Sequence, residues 1–369
     1  MKPTDLPLFR AYGRPALTPD GQVIAALTTP NVDDDRYDGV LHRLDPGPDA
    51  GTPTVLTRGP RDSAPVISPD GELIVFRRAG ESGPGQLYAM PTRGGEPYPL
   101  VTHPLGAADV VFSPDGRSIA YRAAVPEPGR YGTEDGDEPA APTVGGKHSG
   151  AGEKKAGPSP DAEAPRRITT MTYRTDGKGF LGDKPEQIFV LDLDADPAGA
   201  PPRQLTAEPV QLGRPVFTPD GSEIVYERQV SPDSLYSEIA AISAAVEEPG
   251  RGRTVAAPRG DASKPVVIGD TVYYVGAEYE GNDFAGRNPG LWAVPLAGGE
   301  ARRLTDTATV AVESEAGEIA EVDGALLVGV QERGTVAVRT VPADAVGAPL
   351  DALGTVIGGP RVVKAFTVS

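Results

Sequence analysis

A Pro-Asp-Gly tripeptide recurs along this chain, each time between two short apolar runs, and no other feature limits the fold as tightly. Four copies are plain: Arg14-Pro-Ala-Leu-Thr-Pro-Asp-Gly21 before Val23-Ile-Ala-Ala-Leu27, Ala64-Pro-Val-Ile-Ser-Pro-Asp-Gly71 before Leu73-Ile-Val-Phe76, Asp109-Val-Val-Phe-Ser-Pro-Asp-Gly116 before Ile119-Ala-Tyr121, and Arg214-Pro-Val-Phe-Thr-Pro-Asp-Gly221 before Ile224-Val-Tyr226. Two looser copies follow, Lys264-Pro-Val-Val-Ile-Gly-Asp270 and Ile319-Ala-Glu-Val-Asp-Gly324. Their aspartates stand at 20, 70, 115, 220, 270 and 323, so successive copies are 45 to 53 residues apart except for one interval of 105, a repeat plus an insertion. Proline presets φ for the first central residue of a turn and glycine supplies φ > 0, so the tripeptide is a hairpin connector and its aspartates are structural.

Each repeat has a second half of the same kind. Gln86-Leu-Tyr-Ala-Met-Pro91, Gly94-Gly-Glu96 and Tyr98-Pro-Leu-Val-Thr102 are matched by Leu291-Trp-Ala-Val-Pro295, Gly298-Gly-Glu300 and Arg303-Leu-Thr305. Gln187-Ile-Phe-Val-Leu-Asp192 with Arg203-Gln-Leu-Thr206 gives a third example. A glycine-bearing hairpin therefore joins a third strand to a fourth, and four strands in about 50 residues make one blade of a β-propeller. The expected fold is all-β, a single domain over residues 1–369 with about six four-stranded blades, either complete or a seven-bladed ring cut short. Residues 235–242 have helical propensity, but their place in the repeat predicts a strand. Trp292 occupies the same place and is expected to pack within its blade.

Between residues 125 and 167 the pattern gives way to Pro, Gly, Ala and charge, which predicts a disordered loop inserted in the third blade. Residues 360–369 read as the first strand of a further blade or a closing strand. In a four-stranded meander the first-to-second and third-to-fourth turns share one face, here the tight Pro-Asp-Gly and Gly-Gly-Glu turns. The opposite face receives the long connections 125–167, 169–184 and 278–289, and is the expected working surface.

Composition narrows the chemistry. With Lys+Arg 35 against Asp+Glu 52 the net charge is −17, which weighs against nucleic acid and anionic membrane as partners. There is no cysteine, and no apolar run has the length of a signal peptide or a membrane span, so a soluble cytoplasmic protein is expected. No Gly-x-Ser-x-Gly elbow occurs, and His42, His103 and His148 are scattered and expected to be solvent-exposed. The acidic run Asp33-Asp-Asp-Arg-Tyr-Asp-Gly39 lacks the glycine and terminal glutamate of a calcium loop. No metal, no cofactor and no catalytic residue is expected, and the chain alone should be inactive.

Repeats of this type resemble the WD40-like blades of TolB-like propellers and of the propeller in prolyl-oligopeptidase-family serine peptidases. More specifically, Arg167-Ile-Thr-Thr-Met-Thr-Tyr-Arg-Thr-Asp-Gly-Lys-Gly-Phe-Leu-Gly-Asp183, leading into Gln187, is similar to the middle of the propeller of bacterial acylaminoacyl-peptidase-like enzymes. So is the opening, Pro3-Thr-Asp-Leu-Pro-Leu-Phe-Arg-Ala-Tyr-Gly-Arg-Pro-Ala-Leu-Thr-Pro-Asp-Gly21. The resemblance implies a partner α/β-hydrolase domain, in the same or a neighbouring polypeptide, with short peptides as substrates that the propeller gates and binds. The chain ends before any such domain, and the acidic signature of dipeptidyl peptidases is absent, so amino-dipeptide specificity is not implied. A stand-alone TolB-like propeller that binds proteins is the alternative; an open reading frame past codon 369 would separate the two. If the long-loop face meets a hydrolase, the expected substrate-binding residues are Tyr173, Arg174 and Asp176 with Glu278, Glu280 and Asp283. Carboxylates there could hold a peptide ammonium and Arg174 a carbonyl or carboxylate.

Overall fold

The computed structural model describes residues 2–45, 51–80, 83–131, 143–144, 163–194 and 201–368. Its strands form six antiparallel four-stranded meanders, named sheets I to VI. Sheet I comprises Ala16–Leu17, Val23–Asn31, Arg36–Leu44 and Thr54–Val55. Sheet II comprises Arg61–Ile67, Leu73–Ala79, Gln86–Pro91 and Tyr98–Thr102. Sheet III comprises Ala107–Phe112, Ser118–Ala124, Glu186–Asp192 and Arg203–Gln204. Sheet IV comprises Val216–Phe217, Glu223–Gln229, Ser237–Ser243 and Arg253–Ala256. Sheet V comprises Gly260–Ile268, Thr271–Glu278, Gly290–Pro295 and Arg302–Arg303. Sheet VI comprises Ala320–Val322, Ala325–Glu332, Thr335–Pro342 and Gly354–Ile357. One parallel pairing, Gly39 with Arg61, ties sheet I to sheet II.

The turns explain why the repeats fold this way. In the four plain copies the glycine N–H closes the turn onto the Ser or Thr carbonyl two residues before the aspartate, as from Gly71 to Ser68 at 2.8 Å and Gly221 to Thr218 at 2.8 Å, with glycine φ of 72 to 85°. The Ser or Thr hydroxyl donates to the turn aspartate: Ser68 to Asp70 at 2.5 Å, Ser113 to Asp115 at 2.6 Å and Thr218 to Asp220 at 2.6 Å. That same hydroxyl accepts an N–H from the start of the second strand, at 2.9 Å from Leu73 and 3.0 Å from Glu223. The aspartates are therefore structural. The two looser copies lack this hydroxyl and use two-residue hairpins instead, Gly269-Asp270 with Gly269 at φ 55° and Asp323-Gly324 at φ 51° and 78°.

Both faces of the inner strands are buried, so the period-two alternation assigns residues to different neighbours. In sheet III, Val110, Ile119, Tyr121, Phe189 and Leu191 share a core with sheet II, whereas Val111, Ala120, Ile188 and Val190 share one with sheet IV. Comparable cores join I to II, IV to V and V to VI. Among the described residues no such cluster joins VI to I. The far side of sheet VI is instead covered by the C-terminal tail, where Phe366 is buried against Leu327, Val336 and Val338. The tail is held by Val363 N–H to the Val336 carbonyl at 3.1 Å and Phe366 N–H to the Ala316 carbonyl at 2.9 Å.

Several expectations meet the structure here. The helical-looking segment is the strand Ser237–Ser243, buried along six consecutive residues, so burial on both faces overrides propensity. Trp292 is buried in sheet V, stacked on Tyr274 with centroids 6.1 Å apart and its Nε1–H donating to the Gly276 carbonyl at 2.9 Å. The expected insertion, 125–167, lies largely outside the described residues, but its two ends, 125–131 and 163–167, are described and hold specific contacts. The exposure expected for the histidines is corrected by His103, only 4% exposed. Its Nε2 is 2.9 Å from the Tyr121 hydroxyl and its ring 4.7 Å from that of Phe189, and burial lowers its pKa to about 4, so it stays neutral. His42 is half-buried, and His148 lies outside the described residues. No helix among the described residues is long and apolar enough to cross a membrane.

Candidate functional site

The connections between second and third strands lock together on the long-loop face. The Asp233 carboxylate, in the loop of sheet IV, accepts the N–H groups of Met171 and Thr172 from the loop of sheet III, at 2.7 and 3.1 Å. On its other side the sheet IV loop meets sheet V: the Tyr279 hydroxyl donates to the Leu235 carbonyl at 2.6 Å, and Gly281 N–H donates to the Tyr236 hydroxyl at 2.8 Å. The rings of Tyr236, Tyr279 and Phe284 continue this contact edge to face, 5.5 and 6.2 Å apart. Apolar side chains nonetheless face solvent here, Ile168, Met171, Leu235 and Phe284 among them, with Met171 90% exposed. Exposed apolar side chains gathered on one face mark a contact surface.

The ends of the sheet III insertion are clamped beside this surface. Asp183, 8% exposed, accepts from the Tyr131 hydroxyl at 2.9 Å and from Arg166 Nε at 2.6 Å. Glu163 accepts from Arg166 Nη2 at 2.7 Å and from the Tyr131 N–H at 2.7 Å, so chain separated by the insertion is brought together. The guanidinium of Arg166 lies 4.3 Å from the Phe180 ring centroid, and the Lys184 ammonium 4.7 Å from that of Tyr131. Burial, then the Asp183 carboxylate, push the Tyr131 hydroxyl up to about 12, and burial lowers Lys184.

Against this frame the expected substrate-binding residues divide. Arg174 and Tyr173 lie on a small hairpin, Arg174–Thr175 paired with Gly179–Phe180, with Asp176 at its exposed tip. Arg174 rests over the Phe180 ring at 5.8 Å, and Tyr173 lies 6.4 Å from the same ring, 43% exposed. Glu278 ends the second strand of sheet V and is exposed. Glu280 is paired with Arg259 at 2.8 Å and Asp283 with Arg287, both in solvent. The two segments share one face but sit on opposite sides of the sheet IV loop. Residues that sequence reasoning missed, Asp233, Tyr236 and Asp183, assemble that face. Beside it a cleft of about 500 Å³ opens between sheets V and VI, lined by Asn288, Thr309, Glu313, Gln331 and Arg333.

A second group lies in, or two residues before, the first strands of the sheets. Arg14, Ala64, Asp109, Arg214 and Lys264 each stand six residues before a turn aspartate, and Glu318 holds the neighbouring place in the sixth repeat. Ala64, Asp109 and Lys264 take left-handed φ of 50 to 55° at a bulge in their strands. Lys264 Nζ pairs with Glu315 at 2.9 Å, and Arg122 pairs with Asp109 at 2.5 Å and Glu186 at 3.2 Å. Arg14 and Arg214, from sheets I and IV, both pair with the single carboxylate of Glu318 on sheet VI. The three side chains stay 41, 31 and 36% exposed, yet burial, with the Arg14 charge, pulls Arg214 down to about 10. No group of His, Asp and Glu that could hold a metal ion occurs among the described residues.

Known proteins place these observations. No family model matches the chain. The uncharacterized peptidase YuxL of Bacillus subtilis is 27% identical over 171 residues, 46% of this chain and 22% of that protein. Acylaminoacyl peptidase of Pyrococcus horikoshii superposes with a TM-score of 0.64 at 15% identity, over 96% of this chain and 47% of that one. The β-propeller domain of the trilobed protease of Pyrococcus furiosus gives 0.60 at 13% identity, over 98% of this chain and 87% of that domain, and is described as having an open velcro topology. A puromycin-hydrolyzing peptidase of Mycobacterium tuberculosis gives 0.54 at 18% identity, over 91% of this chain and 45% of that one. The chain thus spans about a fifth of its curated relative and about half of the complete peptidases. Its fold is the β-propeller that those peptidases carry, and it resembles the propeller portion of the prolyl-oligopeptidase family.

Proposed function

We propose that the chain is the non-catalytic propeller portion of a prolyl-oligopeptidase-family serine peptidase of the acylaminoacyl-peptidase type, gating and binding short peptides for an α/β-hydrolase domain, with its six sheets as blades of one ring. The observation that carries this reading is the long-loop face. Three successive loops are fastened to one another through Asp233, Tyr236 and Tyr279 while leaving Ile168, Met171 and Phe284 in solvent. A rigid surface that keeps apolar side chains exposed suits a second domain, and Arg174 at its margin suits a peptide carbonyl or carboxylate. Tyr173, Asp176 and Glu278 lie at the same margin, whereas Arg259 and Arg287 already neutralise Glu280 and Asp283. The lack of cysteine fits a cytoplasmic location.

The homogeneous chain should bind acylated tripeptides, measured by calorimetry, and release no nitroaniline from acylaminoacyl nitroanilides. Arg174→Ala should weaken peptide binding several-fold and Glu280→Ala much less. Turnover by the homogeneous chain, or no binding of any peptide, would overturn the reading.

A further inference from the structure

We propose that Arg14 and Arg214 form a carboxylate site on the propeller axis that takes the free C-terminal carboxylate of a short peptide, with Glu318 as the internal group it displaces. The inference rests on the peptide-binding reading above and adds the end of the peptide that is recognised.

Three observations converge. The segments just before the first strands of sheets I, IV and VI bring Arg14, Arg214 and Glu318 to one point, although Arg14 and Glu318 are 304 residues apart in the chain. The donor count there does not balance: two guanidinium groups present ten N–H donors, and a carboxylate offers about four acceptor sites. The remaining cation of the same row, Lys264, has a partner of its own in Glu315, and the row's Asp109 is paired with Arg122 of the second strand of sheet III, which also reaches Glu186. Among the described residues, Arg14 and Arg214 have only Glu318 within ion-pair distance.

The site is open and correctly placed. Each of the three side chains is about a third or more exposed, so a ligand can reach them. They precede the first strands at the ends away from the Pro-Asp-Gly turns, and so belong to the long-loop side of the axis. In a chain of net charge −17 a pair of arginines sharing one carboxylate is a local reversal of sign, and carboxylates repelled elsewhere are drawn to it. A second carboxylate would accept the idle N–H donors through the planar fork geometry for which arginine is suited.

The test is calorimetric titration of the 369-residue chain with acetyl-Ala-Ala-Ala as free acid, as C-terminal amide, and with acetyl-Ala-Asp-Ala amide, which carries only a side-chain carboxylate. The free acid should bind at least tenfold tighter than either amide, and the difference should shrink as salt is raised. Arg214→Gln and Arg14→Gln should each abolish that preference. Glu318→Gln, which removes the competing carboxylate, should strengthen free-acid binding, a gain that a misfolded variant cannot imitate; thermal melts of all three check folding. Equal binding of acid and amide, or no strengthening in Glu318→Gln, overturns the arginine site and leaves the peptide reading standing. Equal binding of the aspartyl amide overturns the choice of the terminal carboxylate. Binding of none of the three overturns both.

Discussion

Two ionic clusters in this molecule use the same residue types to opposite ends. In sheet IV, Arg228 is 1% exposed and each of its three nitrogens donates to a protein acceptor. Nε donates to Glu238 at 2.6 Å, Nη1 to Glu208 at 3.2 Å and to the Gly252 carbonyl at 2.8 Å, and Nη2 to Thr254 at 2.9 Å. Tyr226 completes the set, donating to Glu208 at 2.7 Å and accepting from Gly252 N–H at 3.1 Å. In the other cluster, Arg14 and Arg214 share the Glu318 carboxylate within reach of water. Partners at all three nitrogens in a dry site make Arg228 a fastener. Incomplete satisfaction in a wet site leaves Arg14 and Arg214 able to exchange partners. The balance of donors and the access of water, and not the presence of charge, separate the two.

Removing Arg228 should break this comparison most visibly. Arg228→Met leaves the buried Glu208 and Glu238 with only the exposed Arg251, at 3.8 and 3.6 Å, as a cation, and the expected loss is about 3–5 kcal/mol in denaturant unfolding; a loss below about 1 kcal/mol would show that the network is not buried as described. Asp183→Ala should come next, near 1–3 kcal/mol, since it leaves the Tyr131 hydroxyl and the Arg166 Nε–H without their acceptor. Protection of the 163–185 amides against hydrogen exchange should fall with it, and unchanged protection would remove Asp183 as the clamp. Arg214→Gln should alter stability by less than about 1 kcal/mol, because the pair it breaks is solvated. A loss as large as that of Arg228→Met would make the axial cluster structural.

The smallest effect is one of pH, and its two contributions have opposite signs. Hydrogen bonds from Thr218 and Ser222 hold Asp220 at about 2, so its contribution is complete above its unfolded value of 3.8 and is lost as pH falls toward 2. Burial raises Glu227 above its ordinary 4.5, so its contribution is present below 4.5 and is lost as pH rises through the folded value. Melting temperatures across pH 2 to 7 should therefore lose acid-side slope in Asp220→Asn and gain stability on the neutral side in Glu227→Gln. The reverse pattern would mean the two environments have been exchanged.

How much of this was legible in the sequence follows from the range of each interaction. The Thr-Pro-Asp-Gly turns are local, with every hydrogen bond closing within five residues, and they revealed the meander and the strand at Ser237–Ser243 against its helical propensity. The long-loop face was legible as a face, and Arg174 and Tyr173 lie on it. Its assembly was not, because Asp233 reaches Met171 across 62 residues and Tyr131 reaches Asp183 across 52, with no periodicity to announce either. His103 read as an exposed polar residue, since nothing adjacent in the chain signals that Tyr121 and Phe189 close over it. The row of Arg14, Asp109, Arg214 and Lys264 was not read as a group, because only the three-dimensional arrangement brings these equivalent places together and shows which of them lack a partner of their own.

The apolar cores between neighbouring sheets follow one another from I to VI, and the tail with Phe366 covers the last of them. A row of layers fastened only to nearest neighbours has interior members and end members, and the end members have one partner fewer. In the 369-residue chain by itself, thermal opening should therefore begin at sheets I and VI, which among the described residues share an apolar core with one neighbouring sheet each and which the ionic contact from Arg14 to Glu318 joins. Sheets I and VI can then part from each other without melting any layer, as two leaves of a hinged wall swing while the panels between them hold.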